Sequence, residues 1–133
     1  MLHEDLTAKA LEACFEVAKE LGSGFLESVY EKALVVALRQ KGLEVKEQFP
    51  LAVKFRGQMV GEFFADILLE DKVIIELKAA RALTAEHQAQ VINYLNATGI
   101  EVGLLVNFGN PRLEYKRLHR YKQDPTAPLK ITP

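Results

Sequence analysis

The chain has few of the features that would quickly exclude or assign a class of protein. Cys14 is the only cysteine among 133 residues, so an intrachain disulfide and a thiolate metal cluster are both excluded. No apolar run approaches the length of a membrane span. The first residues, MLHEDL, carry acids where a signal peptide needs basic residues and an apolar run. We therefore expect a cytoplasmic protein.

The chain also lacks a large net charge of either sign. The formal charge of −1 argues against a surface that binds nucleic acid nonspecifically, so phosphate contacts would have to come from a local patch. The best candidate is a basic segment near the end of the chain, but a solvated terminal segment is the favoured interpretation of it. Its residues are Arg112, Tyr115, Lys116, Arg117, Arg120, Tyr121 and Lys122.

The length and the 49% hydrophobic content predict one domain with a real core over residues 1–133, with a loosely ordered tail at 124–133. Helical periodicity, turn residues and apolar runs predict the element order ααβββαβ. This order indicates an α/β (α+β) protein with a mixed β-sheet flanked by helices. The predicted helices are 6–21, 25–40 and 84–97, and the predicted strands are 44–55, 58–70, 72–79 and 101–107.

Three ionisable residues interrupt two apolar strands in the middle of the chain. Asp66 lies in EFFADILLE, whereas Glu76 and Lys78 lie in KVIIELKA, where period-two alternation places them on one face. Burying an unpaired carboxylate costs several kcal/mol, so these charges need a partner. A pair of carboxylates attracts a hard divalent cation such as Mg²⁺ or Mn²⁺, and a nearby lysine can activate water.

The length of the turn between these strands decides whether the two carboxylates meet. A three-residue turn, 70–72, places Leu69 opposite Val73 and Asp66 opposite Glu76 on one face. A two-residue turn would send the carboxylates to opposite faces. We predict the three-residue turn.

Other Glu-x-Lys tripeptides in the chain show that this spacing alone carries little information. Glu44 with Lys46 lies in a polar stretch, and Glu114 with Lys116 lies in a charged segment that is expected to be solvated. Only Glu76 is embedded in an apolar strand with an acid on the partner strand. The structural alternative is a buried ion pair between Lys78 and one of the acids.

The sequence resembles a known family at these positions. Asp66, Glu76 and Lys78 are similar to the catalytic signature of the PD-(D/E)XK nuclease superfamily, with alanine in place of proline before Asp66. Gly24, Glu27 and Tyr30 in GFLESVY resemble the motif that names the GxxExxY proteins of that superfamily. The stretches GEFFADILLEDKVIIELKA, HQAQVINYLNATG and VGLLVNFG extend the resemblance from about Leu6 to Gly109.

The resemblance implies a restriction-endonuclease-like core and roles for further residues. Glu27 would be an extra metal ligand, although an acid in the first turn of a helix also favours the helix dipole without any function. Gln90 and Tyr94 resemble the Gln-x-x-x-Tyr feature of RecB-like members, in which the glutamine supports the metal site. The backbone carbonyl of Leu77 would add a metal ligand. Substrate binding is assigned to Tyr30, Tyr94 and Arg81.

The sequence thus leads to two hypotheses about function. The first is a metal-dependent nuclease, using Mg²⁺ or Mn²⁺, that acts on DNA or RNA and possesses one active site per chain, so that duplex cutting would favour a homodimer. The second is a nucleic-acid- or protein-binding module that retains the nuclease fold with weak or no catalysis. An appended recognition domain is not expected in a chain of this length.

Overall fold

A computed structural model of the chain describes residues 1–120, which form three helices and five strands. The predicted tail at 124–133 lies outside the described residues. No helix within residues 1–120 is both long and apolar enough to cross a membrane. The elements in chain order are α1 Glu4–Leu21, α2 Glu27–Gln40, β1 Val45–Phe55, β2 Gln58–Leu69, β3 Val73–Lys78, α3 Ala85–Thr98, β4 Val102–Asn107 and β5 Glu114–His119.

The strands form one mixed sheet in the order β1-β2-β3-β4-β5. Only β3 and β4 are parallel, because α3 connects them as a crossover helix, whereas the other neighbours are antiparallel. Strands β3 and β4 are buried along almost their whole length, in agreement with their continuous apolar sequences. The predicted α+β architecture with a mixed sheet flanked by helices is confirmed.

Helices cover both faces of the sheet and create two apolar clusters. One cluster joins α1 and α2 to side chains such as Ile67, Ile75 and Val106. The other joins α3 to Leu68, Ile74 and further apolar residues of the sheet. The alternation of side chains along β2 and β3 explains this division, since residues 67 and 75 point to one face while 68 and 74 point to the other.

The ends of α3 follow the sequence signals. Thr84 caps the helix, because its hydroxyl accepts a hydrogen bond from the backbone N–H of His87 at 3.2 Å. The imidazole of His87 in turn accepts one from the backbone N–H of Thr84 at 3.1 Å, which completes a capping box. Gly99 ends the helix at a φ of 77°, a conformation that glycine adopts without strain.

The basic segment near the end of the chain corrects one prediction. Residues 114–119 form strand β5 rather than a loose terminal segment, and this strand pairs with β4 in register from Val102↔His119 to Asn107↔Glu114. Its residues Tyr115, Lys116 and His119 are nevertheless exposed. The side chain of Arg117 donates hydrogen bonds to Thr7 at 2.6 Å and to the backbone carbonyl of Leu2. Arg120 forms an ion pair with Glu101 at 2.6 Å. Tyr121 and Lys122 lie outside the described residues.

Candidate active site

The candidate site lies where the hydrogen-bond ladder between β2 and β3 ends. Leu69 opposes Val73, as the three-residue turn predicted, and the last paired residues are Ile67 and Ile75. The next positions in this register are Asp66 and Glu76. The predicted juxtaposition of the two carboxylates is therefore confirmed, and it depends on a turn in which Glu70 and Asp71 both adopt positive φ values of 53° and 55°.

At this point the two side-chain carboxylates accept the backbone hydrogen bonds that carbonyl groups accept elsewhere in the sheet. The backbone N–H of Asp66 donates to Oε1 of Glu76 at 2.7 Å, and the backbone N–H of Leu77 donates to Oδ2 of Asp66 at 2.9 Å. Each strand amide thus stays paired while the two strands separate. These bonds fix the orientation of both carboxylates without any contribution from a ligand.

Lys78 lies on the α3 side of the sheet, one pleat beyond Glu76. Its Nζ donates a hydrogen bond to Oε1 of Gln90 at 3.3 Å, and Nε2 of Gln90 donates to the hydroxyl of Tyr94 at 3.1 Å. Among the ion pairs of residues 1–120, none joins Lys78 to Asp66 or Glu76. The alternative of a direct structural ion pair is therefore not supported, because the ammonium is held by an uncharged amide.

Burial makes the carboxyl group of Glu76 unusual. Glu76 is 4% exposed, and its desolvation, together with the neighbouring Asp66 carboxylate, raises its pKa from 4.5 to about 8. The hydrogen bond from the Asp66 amide and the charge of Lys78 offset this only in part. Once Glu76 ionises, the two carboxylates therefore carry more negative charge than Lys78 balances, and a bound divalent cation would relieve that excess.

Glu27 lies in the first turn of α2, as expected, and its side chain remains exposed to solvent. Partial desolvation and the charge of Asp66 still raise its pKa, whereas Lys78 lowers it. Glu27 is thus near enough to sense both residues electrostatically. Within residues 1–120, however, no three histidine, cysteine, aspartate or glutamate side chains form a complete metal-binding group.

A two-carboxylate site still fits the coordination habit of magnesium. Mg²⁺ usually keeps several water ligands and is held by one or two carboxylates together with substrate phosphates. Asp66 and Glu76 supply these two carboxylates, and their backbone hydrogen bonds occupy Oδ2 of Asp66 and Oε1 of Glu76. The second oxygen of Glu76 accepts no hydrogen bond from the part of the chain that the structure describes. This oxygen is therefore free to coordinate a metal ion.

Sequence reasoning missed two residues that join the site, Glu31 and Gln48. Nε2 of Gln48 lies 2.9 Å from Oε1 of Glu31 and 3.3 Å from Oδ1 of Asp66, so one amide bridges α2 to the site aspartate. Desolvation raises the pKa of Glu31 to about 7; the Gln48 hydrogen bond opposes this, and the Asp66 charge adds to it. The only available signal was that Glu31 follows Glu27 by one helical turn.

Gln48 occupies an unusual position in β1. The ladder with β2 pairs Glu47 with Ile67 and Phe49 with Ala65, so Gln48 is skipped, and its φ of 47° lies in the left-handed region. A residue other than glycine adopts that conformation at a cost of roughly 1 kcal/mol or more. Strain of this kind concentrates at functional sites. Here it accompanies the side-chain contact with Asp66.

Tyr30 does not fit the predicted contact with substrate. Its side chain is completely buried and stacks on Phe108, with ring centroids 4.9 Å apart. Its hydroxyl donates to the carbonyl of Gly22 at 2.6 Å and accepts from the backbone N–H of Phe25 at 3.1 Å. A ring with no exposed surface and a satisfied hydroxyl fixes the loop that precedes α2, and therefore the position at which Glu27 begins that helix.

Arg81 lies just beyond β3 and is exposed. The loop that contains it is fixed by Asn107, which is fully buried. Oδ1 of Asn107 accepts a hydrogen bond from the backbone N–H of Ala80, and Nδ2 donates one to the carbonyl of Ala80, each at 2.9 Å. Gly109 passes so close that a Cβ there would lie 2.1 Å from the carbonyl oxygen of Ala80. These contacts set the course of the chain after Lys78, and Arg81 stays a predicted substrate contact.

Comparison with protein families shows to which superfamily this chain belongs. The family model of the PD-(D/E)XK nuclease superfamily matches residues 4–118, which include the whole described site. The chain belongs to the PD-(D/E)XK nuclease superfamily. Members of this superfamily typically use divalent metal ions and act on nucleic acid. The match includes β5, so the superfamily domain extends beyond the region of the initial resemblance.

The other comparisons add information about the fold. The crystal structure of SSO0001 is similar, with a TM-score of 0.58 and 17% sequence identity. The similarity covers 72% of this chain and 50% of the SSO0001 chain, so this chain spans about half the length of SSO0001. At this identity the likeness concerns the fold alone. No curated protein matches the chain at a significant level.

Proposed function

We propose that the protein is a metal-dependent nuclease of the GxxExxY group that hydrolyses phosphodiester bonds in DNA or RNA. The observation that carries the proposal is the convergence of Asp66, Glu76 and Lys78 where β2 and β3 separate. There the carboxylates are oriented by backbone amides and the lysine by Gln90. The GxxExxY assignment rests on Gly24, Glu27 and Tyr30 in GFLESVY.

In this proposal Asp66 and Glu76 would hold Mg²⁺ or Mn²⁺, the backbone carbonyl of Leu77 would add a ligand, and Glu27 would add only negative charge from α2. The cation, when bound, supplies Lewis-acid polarisation of the phosphate and offsets the charge that develops on it. Glu27 is exposed and does not form part of a preformed three-carboxylate group, so we place it beyond direct coordination.

Lys78 orients the attacking water. Its ammonium is held at 3.3 Å by Gln90, which is itself held by Tyr94, so the group is positioned before substrate arrives. The oxygen of water forms the new bond to phosphorus and releases a proton to solvent, while the bond to the leaving oxygen breaks and that oxygen takes up a proton. Lys78 also stabilises the negative charge on the phosphoryl oxygens during this step.

The test is cleavage of supercoiled DNA, single-stranded DNA and structured RNA with Mg²⁺, Mn²⁺ or EDTA. We expect metal-dependent cleavage that Lys78→Ala lowers at least about a hundredfold, the usual range for a group that moves or orients a proton. Lys46→Ala is the matched control, because Lys46 ends another Glu-x-Lys tripeptide and forms an ion pair with the exposed Asp71 at 2.7 Å.

The binding-module alternative gives a different pattern. Nucleic-acid binding without cleavage of any substrate, together with no heat of Mg²⁺ or Mn²⁺ binding in calorimetry, would reject the nuclease proposal. Cleavage that is equal in wild type and Lys78→Ala would keep nuclease activity but remove the lysine from the mechanism.

A further inference from the structure

Strands β1 and β2 extend well beyond the rest of the sheet. They pair with each other from Phe55↔Gln58 to Val45↔Leu69, whereas β3 pairs with β2 only along Ile67–Leu69. The part of this hairpin that does not pair with β3 projects over α3. Between the two lies a groove of about 990 Å³, lined on the strand side by residues including Lys54 and Phe63. We call this feature the arm groove.

The arm groove is continuous with the candidate active site. Gln90 and Tyr94 line it from α3, and the same Gln90 accepts the hydrogen bond from Lys78. Phe63 lies next to Tyr94, with ring centroids 5.9 Å apart and a tilt of 41°. A chain of contacts therefore leads from the catalytic lysine to an aromatic side chain in the groove.

The groove offers flat apolar and amide groups rather than a row of cations. Phe63 is 45% exposed, an unusual degree for a phenylalanine that lines a concave surface. Asn93 and Asn96 also line the groove, and among the lining residues within 1–120 the charged ones are Lys54 and Glu86, which balance each other. Amides of this kind can bond the edges of bases, and an exposed ring can stack on their faces.

Duplex nucleic acid fits this lining poorly. Its bases are already stacked, and its affinity comes chiefly from many lysine and arginine contacts with phosphates. One lysine balanced by one glutamate does not supply such contacts. A single strand, in contrast, presents unstacked bases to an aromatic side chain. The volume is near the upper end of the range of about 300–1,000 Å³ for small-molecule pockets, so more than one nucleotide can be accommodated.

We propose that the arm groove binds a single strand of nucleic acid beside the scissile phosphate, with Phe63 as the stacking platform for a base. This inference rests on the proposed nuclease function, since it names the substrate class of the same site. Lys54 contacts the backbone of the strand, and the amides of Asn93 and Asn96 contact base edges.

The experiment measures fluorescence anisotropy of labelled single-stranded DNA, single-stranded RNA and duplex DNA in Mg²⁺, all in the Lys78→Ala background so that no substrate is consumed. We expect tighter binding of a single strand than of the duplex. Phe63→Leu, which keeps an apolar side chain without a stacking face, should weaken single-strand binding roughly tenfold or more. Phe63→Tyr should retain the affinity. The control is Phe55→Leu, because Phe55 is 59% exposed on the same hairpin but does not line the groove.

Each result has a defined meaning. Equal single-strand affinity in Phe63→Leu and its parent, or stronger binding of the duplex, would overturn the inference. Comparison of the DNA and RNA arms shows which sugar the groove accepts. Cleavage by the otherwise wild-type protein is measured in parallel. Cleavage of duplex without dependence on Phe63 would reject the groove but keep the nuclease, whereas Phe63-dependent binding without cleavage would reject the nuclease activity instead.

Discussion

The buried carboxyl group of Glu76 leads to a strong prediction about stability. Its pKa is raised to about 8 in the folded protein, against 4.5 for an ordinary glutamate. Between these pH values the folded chain keeps a proton that the unfolded chain has released. The metal-free protein must therefore lose stability as pH rises from about 4.5 to about 8. Replacing Glu76 with glutamine removes this ionisation and should abolish most of the loss.

The magnitude follows from the same values. Each pKa unit between the folded and unfolded states corresponds to about 1.4 kcal/mol. The gap between 4.5 and about 8 therefore amounts to about 5 kcal/mol above pH 8 and about 3 kcal/mol at pH 7. The glutamine carbonyl can still accept the hydrogen bond from the Asp66 amide, now 2.7 Å long, so the substitution keeps this contact. We expect Glu76→Gln to be more stable than wild type at neutral and alkaline pH.

The assay is urea denaturation in EDTA at about pH 5, 7 and 8.5, a range that brackets the ionisation of Glu76. Glu44→Gln is the matched control, because Glu44 begins another Glu-x-Lys tripeptide but is exposed, so the same substitution is made outside the buried site. Glu31, whose pKa is raised to about 7, should leave a residual slope of the same sign in Glu76→Gln, weakened by solvent screening because Glu31 is partly exposed. Equal free energies of unfolding for wild type and Glu76→Gln at the alkaline end would refute the reasoning.

Magnesium should reverse the order of these variants. A cation that binds only the folded state raises its stability in proportion to its affinity, and Glu76 is one of the two proposed ligands. Wild type should therefore gain stability on addition of Mg²⁺ or Mn²⁺, whereas Glu76→Gln should gain much less. Equal gains in both proteins would show that the metal binds elsewhere.

Three further substitutions or modifications test the surroundings of the site. Gln48→Ala removes the amide that lies 3.3 Å from Asp66, so we expect roughly tenfold slower cleavage with a folded protein, since Gln48 is exposed. Wild-type cleavage by this variant would exclude a positioning role. Gly109→Ala should destabilise the protein by about 3 kcal/mol, because the new Cβ meets backbone atoms of Ala80 at 2.1 Å. Gly61→Ala, where the nearest atom is the Phe63 ring at 3.1 Å, is the control, and thermal melting compares the two. Cys14 is fully buried with a pKa raised to about 12, so it should resist iodoacetamide at pH values near 8 and react once urea unfolds the chain. Rapid labelling of the native protein would contradict its position in the core.

Much of the site could be predicted because its geometry is local. Residues 69–73 form a tight turn, and its length alone fixes which residue of β2 opposes Glu76. Alternation then places Lys78 on the face of Glu76, and the four-residue spacing of Gln90 and Tyr94 places both on one side of α3. The hydrogen bond between Gln90 and Tyr94 agrees with that spacing.

The fifth strand was not predicted, and the physical reason is different. Residues 114–119 carry five ionisable side chains, and edge strands commonly carry charges that prevent pairing with other molecules. A solvated segment has a similar composition, so the sequence does not distinguish the two. Only the exposed backbone of β4 on that side, which is available in the folded sheet, makes the segment a strand.

Turn lengths, alternation and helix caps in the sequence determined the mixed sheet and the opposition of Asp66 and Glu76, because these features depend on neighbours within a few residues. Tertiary structure alone decided that Gln48 bridges Glu31 to Asp66 and that Tyr30 is buried against Phe108. It also formed the arm groove, since that surface arises only when the hairpin of β1 and β2 passes over α3. Contacts of this kind join residues far apart in the chain, and their partners are set by packing rather than by any local spacing.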